Sequence, residues 1–145
     1  MTSMLLFPVA VLAGIAAACQ GAANGALAGR AGLGGTLLFN SVIVTVGSLA
    51  LFFATHGPRQ LWSIAGAPWS HYLGGACGLV IIASMAVAVP RLGTALVLAL
   101  MVLGQAGTAL AIDQFGLFGM RTIPLTATRL AGAALLVVGV VLMRR

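Results

Sequence analysis

No charged side chain interrupts the stretch from Ala10 to Gly29; the first charge is Arg30. About 20 predominantly apolar residues are enough for a helix to cross the hydrocarbon core of a bilayer. Comparable runs recur along the chain, separated by short turns and one longer polar loop. In lipid the backbone N–H and C=O groups must be satisfied without water, which favours the α-helix for continuous apolar runs of this length.

Composition points the same way. The chain is 61% hydrophobic and 6% charged, whereas soluble domains carry about 25% charged residues. No polar run is long enough for a soluble domain, so residues 1–145 read as a single transmembrane domain with the bilayer as its principal partner. The net charge of +6 comes from seven arginines and one aspartate. The arginines stand mostly singly at span ends, as in membrane proteins, rather than in a stripe that would bind nucleic acid. Residues 15–19 faintly resemble a lipoprotein cleavage site, but residues 1–7 contain no Lys or Arg, so cleavage is not expected.

Apolar patterning predicts an all-α membrane protein with five transmembrane helices, over residues 4–28, 36–55, 71–89, 94–112 and 124–143. Residues 30–35 read as a Gly-rich turn and Pro90-Arg91-Leu92-Gly93 as a tight one. Pro124 suits the first turn of the last span. The loop over 56–70 holds Trp62, Trp69 and Arg59, with Tyr72 just beyond. That mixture suits the membrane interface, and 61–64 reads as a short interfacial helix. Five spans put the termini on opposite sides. Arg59, Arg121 and Arg129 then face Arg30, Arg91, Arg144 and Arg145, a small difference for a rule that works through excess.

Within the first span Gly21, Gly25 and Gly29 recur every fourth residue, preceded by Gly14, Ala17 and Ala18. Such a stripe lets another helix backbone approach closely. Gly74 and Gly78 offer a similar face. Gln20 and Asn24, four apart, share one face of the first span. A lipid-facing amide is costly, so they either bond to other helices or line a solute path. Asn40, Gln105 and Thr108 carry the same two readings. Asp113 is expected to end the fourth span and pair with Arg121 or Arg129. Cys19 and Cys77 lie in apolar spans and read as packing residues. His56 and His71 have too few neighbouring ligands for a metal site. No nucleophile, phosphate loop or cofactor motif is present, so neither an enzyme nor a cofactor is expected.

Several short patterns occur in a fixed order: Gln20-Gly21-x-x-Asn24-x-x-Leu27, Trp69 to Gly75 with Gly78, Pro90-Arg91-Leu92-Gly93, Gly104-Gln105, Asp113-x-Phe115-Gly116-Leu117 and Arg129-x-x-Gly132. Together they resemble the small five-span bacterial inner-membrane proteins of the DUF606 or YdcZ type, in the drug/metabolite transporter superfamily. One departure is Gln114, where relatives often carry histidine. The resemblance implies half of a ten-helix carrier and no settled substrate. An odd number of spans cannot hold two equal inverted halves, but two oppositely inserted copies supply them. The expectation is therefore a secondary transporter of a small organic metabolite. It would work as a homodimer of dual topology, antiparallel, by alternating access. Gln20, Asn24, Asn40 and Gln105 would be its substrate-binding groups. With no acid inside a span, the cargo would be neutral, zwitterionic or anionic. The competing reading is a non-transporting scaffold, or one subunit of a heteromeric transporter with a paralogous partner.

Overall fold

The computed structural model describes residues 6–55, 64 and 66–144. Arg59, Trp62 and residues 61–63 of the expected interfacial helix lie outside that set. The described chain is helical, without strands: α1 (Leu6–Thr55), α2 (Leu73–Leu92), α3 (Thr94–Phe115) and α4 (Ala127–Met143). Short 3-10 turns occupy Trp69–Tyr72 and Leu117–Gly119. Three helical segments, α1, α2 with its preceding turn, and α3, are long and apolar enough to cross a membrane; α4 is a shorter apolar helix. Phe7, Phe53 and Leu135 are 70%, 70% and 71% exposed. Apolar surface of this extent belongs against lipid rather than water.

α1 is a broken helix. Gly32 adopts φ 69° and ψ 174°, outside helical space, and divides α1 into arms over 6–31 and 33–55. In an unbroken helix, residues 24 and 40 would lie about 24 Å apart. Here Asn40 Nδ2 donates to Asn24 Oδ1 at 2.8 Å, so the second arm folds back beside the first. The turn expected over 30–35 is thus compressed to one residue. Thr36 restarts the helix, donating its hydroxyl to Gly32 O at 2.9 Å.

A second corner has the same construction. Gly93, at φ 81° and ψ 152°, alone separates α2 from α3. Both glycines occupy a backbone region that residues with a Cβ rarely enter. Each is preceded two positions earlier by an arginine, Arg30 or Arg91. Pro90 is not in the turn, as expected from sequence, but inside the last turn of α2. A proline costs one backbone hydrogen bond there, and Gly93 N–H closes the helix end by donating to Val89 O at 2.9 Å.

Contacts set the directions. A Cβ added at Gly21 would meet Met85 Cε and Val89 Cγ2, and one at Gly25 would meet Val89 Cγ1 and the Pro90 ring at 3.2–3.3 Å. Both sets of numbers rise together, so the first arm and α2 run parallel. Both glycine corners therefore lie at the same end of the bundle. α4 runs antiparallel to α3: Arg129 near its start pairs with Asp113 near the end of α3, and Ala133 and Leu136 share a groove with Ala106 and Leu110. Arg144 consequently reaches the corner end as well.

The core also lies toward the corners. Met85, Val89 and Val97 form its buried cluster, with Ala88, Leu98 and Met101 packed against it. Gly21, Asn24, Gly25 and Thr36 are the buried residues of α1. Toward the other end residues 6–16 and 71–77 are exposed. The stripe expected in the first span is used only in part. Gly21 and Gly25 make close contacts, whereas at Gly14, Gly29, Gly74 and Gly78 an added methyl would meet nothing within 4 Å. α4 begins at Ala127 rather than Pro124, because Thr126 supplies the cap, its hydroxyl accepting from Arg129 N–H.

A methyl at Gly93 meets no neighbour within 4 Å, so its cost is backbone strain alone. Gly93→Ala should lower unfolding stability in detergent by about 1–3 kcal/mol. Gly104→Ala, in open helical space, should be neutral or stabilising by about 0.5–1 kcal/mol. Chemical denaturation followed by circular dichroism would compare them; equal effects would contradict the single-residue corner.

Candidate functional site

Of the grooves that open away from the corners, two reach Gln105. One, of about 450 Å³, lies between α2 and α3 and is lined by Cys77, Ile81, Met101, Gln105 and Thr108 among others. The other, of about 390 Å³, lies between the first arm of α1 and α3, with Ala10, Ala13, Gly14 and Ala17 facing Met101 and Gln105. Met101 and Gln105 are shared between them. Ile81 and Cys77 of α2 share the first groove with Gln105 and Ala109 of α3. The separation has a local cause. Near the corner Val89 and Val97 fill the α2–α3 gap, whereas farther out Gly104, Ala109 and Cys77 leave it open.

The grooves hold no charged side chain; Gln105 and Thr108 are their polar groups. The arrangement suits a largely apolar, uncharged surface that can take one or two hydrogen bonds.

The four amides expected to line a solute path divide into separate places. Gln105 is exposed on the groove wall, and Gln20 is half-buried on the first arm. Asn24 and Asn40 do not face the grooves; they bond to each other toward the corner end. Asn40 Nδ2 also donates to Thr36 O at 2.9 Å. Both of its hydrogens are thus used, so Asn24 must present its oxygen to Asn40. Asn24 is 3% exposed, and its own Nδ2 has no partner. Sequence reasoning did not single out Met101. It lies one helical turn before Gln105, and extending that face by four residues would have found it.

At the open end the α3–α4 loop is closed by polar contacts. Arg129 pairs with Asp113, as expected, and Arg129 Nη1 donates to Ile123 O at 3.4 Å. Ile123 N–H donates to Asp113 O at 2.8 Å, and Leu125 N–H to Gln114 Oε1 at 2.7 Å. Gln114 therefore has a structural use in the loop. Trp69 and Tyr72 are exposed near the start of α2, and Tyr72 Oη donates to Ile64 O at 2.5 Å. Cys19 and Cys77 are exposed and unpaired. Among the described residues no three His, Cys, Asp or Glu side chains converge on a metal-sized site.

Residues 5–142 match the family described as "Putative inner membrane exporter, YdcZ", also known as DUF606, and the chain belongs to that family. It is accordingly a multi-pass protein of the inner membrane, with a transporter-like role. No curated protein and no solved structure matches the chain.

The Arg129 and Asp113 side chains remain 31% and 27% exposed, which limits the strength of their pairing. Asp113→Ala and Arg129→Ala should each destabilise by about 1–2 kcal/mol. The double variant should lose less than the sum, because the second removal takes away a charge already unpaired. Additive losses in a detergent unfolding cycle would show that the pair contributes no coupling.

Proposed function

We propose that this member of the YdcZ family is a secondary transporter of a small organic metabolite, with the grooves around Gln105 as its cargo site. The observation that carries the reading is the asymmetry of the bundle. Its corner end is closed by Met85, Val89 and Val97, while its other end holds grooves lined by apolar residues and a free amide. A site open to one side and closed to the other is what alternating access requires. The absence of charge in the groove walls favours cargo that is neutral overall or keeps its charge outside. Outward movement follows the family's description as an exporter.

In the same reading both arms of α1 and all of α2, α3 and α4 cross the bilayer. The chain is then half of a ten-helix carrier, completed by a second, inverted copy. Arg30, Arg91 and Arg144 mark the corner end, and Arg121 and the paired Arg129 mark the other. A heteromeric arrangement with a paralogous chain would satisfy the same geometry.

The test begins with a thermal-shift screen of the purified protein against uncharged and zwitterionic metabolites, since a bound ligand raises apparent stability. For a compound so found, Gln105→Leu should weaken binding about tenfold, the value of one hydrogen bond, with little change in melting temperature. Unchanged affinity would remove Gln105 from the site.

Orientation is checked separately. Two or three lysines added between Gly32 and Gly35 should hold the corner end in the cytoplasm, and lysines added over 57–67 should hold the other end there. Each pinned version alone should be inactive, and their co-expression should restore transport. C-terminal reporters active on one side only would measure the starting ratio. A single orientation in the unaltered protein, with parallel dimers, would overturn the inverted pair.

A further inference from the structure

The second arm of α1 is held to the bundle in an unusual way. Residues 41–51 are all exposed, and the arm's buried or half-buried positions before them are Gly35, Thr36, Leu37 and Asn40. Among the described residues, the side-chain hydrogen bond joining the two arms runs from Asn40 to Asn24. It lies eight residues from Gly32 on either side, about 12 Å along each arm. Gly32 itself has no neighbour within 4 Å of where a Cβ would stand. The corner is thus a backbone hinge with nothing packed at Gly32 itself and one small contact beside it, where Gly35 lies against the Ala31 methyl.

The bond is also incompletely satisfied. Asn24 is almost fully buried, yet its Nδ2 donates to nothing. A buried amide with an idle donor raises the free energy of the state that contains it. A rearrangement that gives this donor an acceptor would recover part of that cost. An element with a long exposed stretch, one side-chain bond to the other arm among the described residues and an unsatisfied partner matches the low-stability segments that move.

We propose that the Asn24–Asn40 bond is a latch, and that the second arm of α1 swings about Gly32 when it opens. The latch holds the second arm against the first; its release parts the two arms farthest from Gly32, toward the end where the grooves open. An uncharged oxygen, a carbonyl or hydroxyl, that accepts from the idle Asn24 Nδ2 would draw the Asn24 side chain away from Asn40. This rests on the transporter reading for its purpose, but the motion can be read without any transport.

The experiment is pulsed electron paramagnetic resonance on full-length protein in lipid nanodiscs. Cys19 and Cys77 are replaced by alanine, and spin labels are placed at Ser48→Cys and Ser84→Cys, both exposed positions. The latched protein should give one dominant distance. Asn40→Ala and Asn24→Ala, which remove opposite ends of the same bond, should each add a second, longer population. Thr45→Ala, on the same arm beyond the latch, should leave the distribution unchanged.

Gel filtration and circular dichroism establish that each variant is folded; a variant that fails is replaced by Asn40→Ser or Asn24→Ser, which shorten the side chain and keep a hydroxyl. Unchanged distances in folded variants at both positions would overturn the latch, as would two equal populations in the parent protein. A shifted distribution in a protein that moves no metabolite would keep the latch and remove the transporter reading. Transport with an immobile arm would do the reverse.

Discussion

The close approach of the first arm of α1 to α2 at Gly21 and Gly25 decides where this bundle is closed. Between lipid-solvated helices there is little hydrophobic gain from association, so packing and polar contacts must supply the attraction. Two glycines one turn apart let Met85, Val89 and the Pro90 ring sit against the helix backbone. Val97 on α3 joins the same cluster. Where the glycines give way to Ala10, Ala13, Gly14 and Ala17, nothing large enters from α2, and a groove remains. The closed end and the open grooves are two consequences of how bulky residues are distributed along α2 and α3.

The glycine corners matter because they bring distant positions to one level. Gly32 folds α1 so that Asn24 and Asn40 meet; Gly93 folds α2 onto α3 so that Ile81 and Gln105 line one groove. A longer loop at either place would leave the register of the helices free to slide. A single residue in a restricted conformation fixes it, provided that residue is glycine. The tight joints also put Arg30 and Arg91 at one end, with Arg144 arriving through α4.

Much of this was readable from the residues. Uncharged runs required membrane helices, and Asp113 lay at the right distance from Arg129 to pair across a short loop. The four-residue spacing of Gly21 and Gly25 allowed the close contacts found there. Other features depended on tertiary geometry. Helical periodicity put Asn24 beside Gln20, but Asn24 bonds instead to Asn40, sixteen residues away, because one glycine reverses the chain between them. The same periodicity could not say that Gly14, Gly29, Gly74 and Gly78 face open space, since a stripe shows that approach is allowed and not that a partner comes. Proline in a Pro-Arg-Leu-Gly run reads as a turn, yet Pro90 stays helical because the chain reverses at the glycine three residues later.

The placement of charge bears on what could drive such a carrier. A carboxylate within the path would allow proton coupling through its ionisation. The chain's single acidic residue, Asp113, is at the end of α3 and is engaged by Arg129 and by the backbone of the following loop. It braces the connection to α4 rather than facing the grooves. The polar groups nearer the bundle interior are amides and hydroxyls: Gln105 and Thr108 along the groove, Asn24, Thr36 and Asn40 at the closed end. Amides recognise by hydrogen bonding and do not titrate in the physiological range, so selectivity would rest on shape and on placing an acceptor or donor correctly. Removing such a partner leaves a buried polar atom unsatisfied, the condition already visible at Asn24 Nδ2. In a fold with so little charge, an idle buried amide donor is a substantial local cost, and it lies at the bond that joins the two arms of α1.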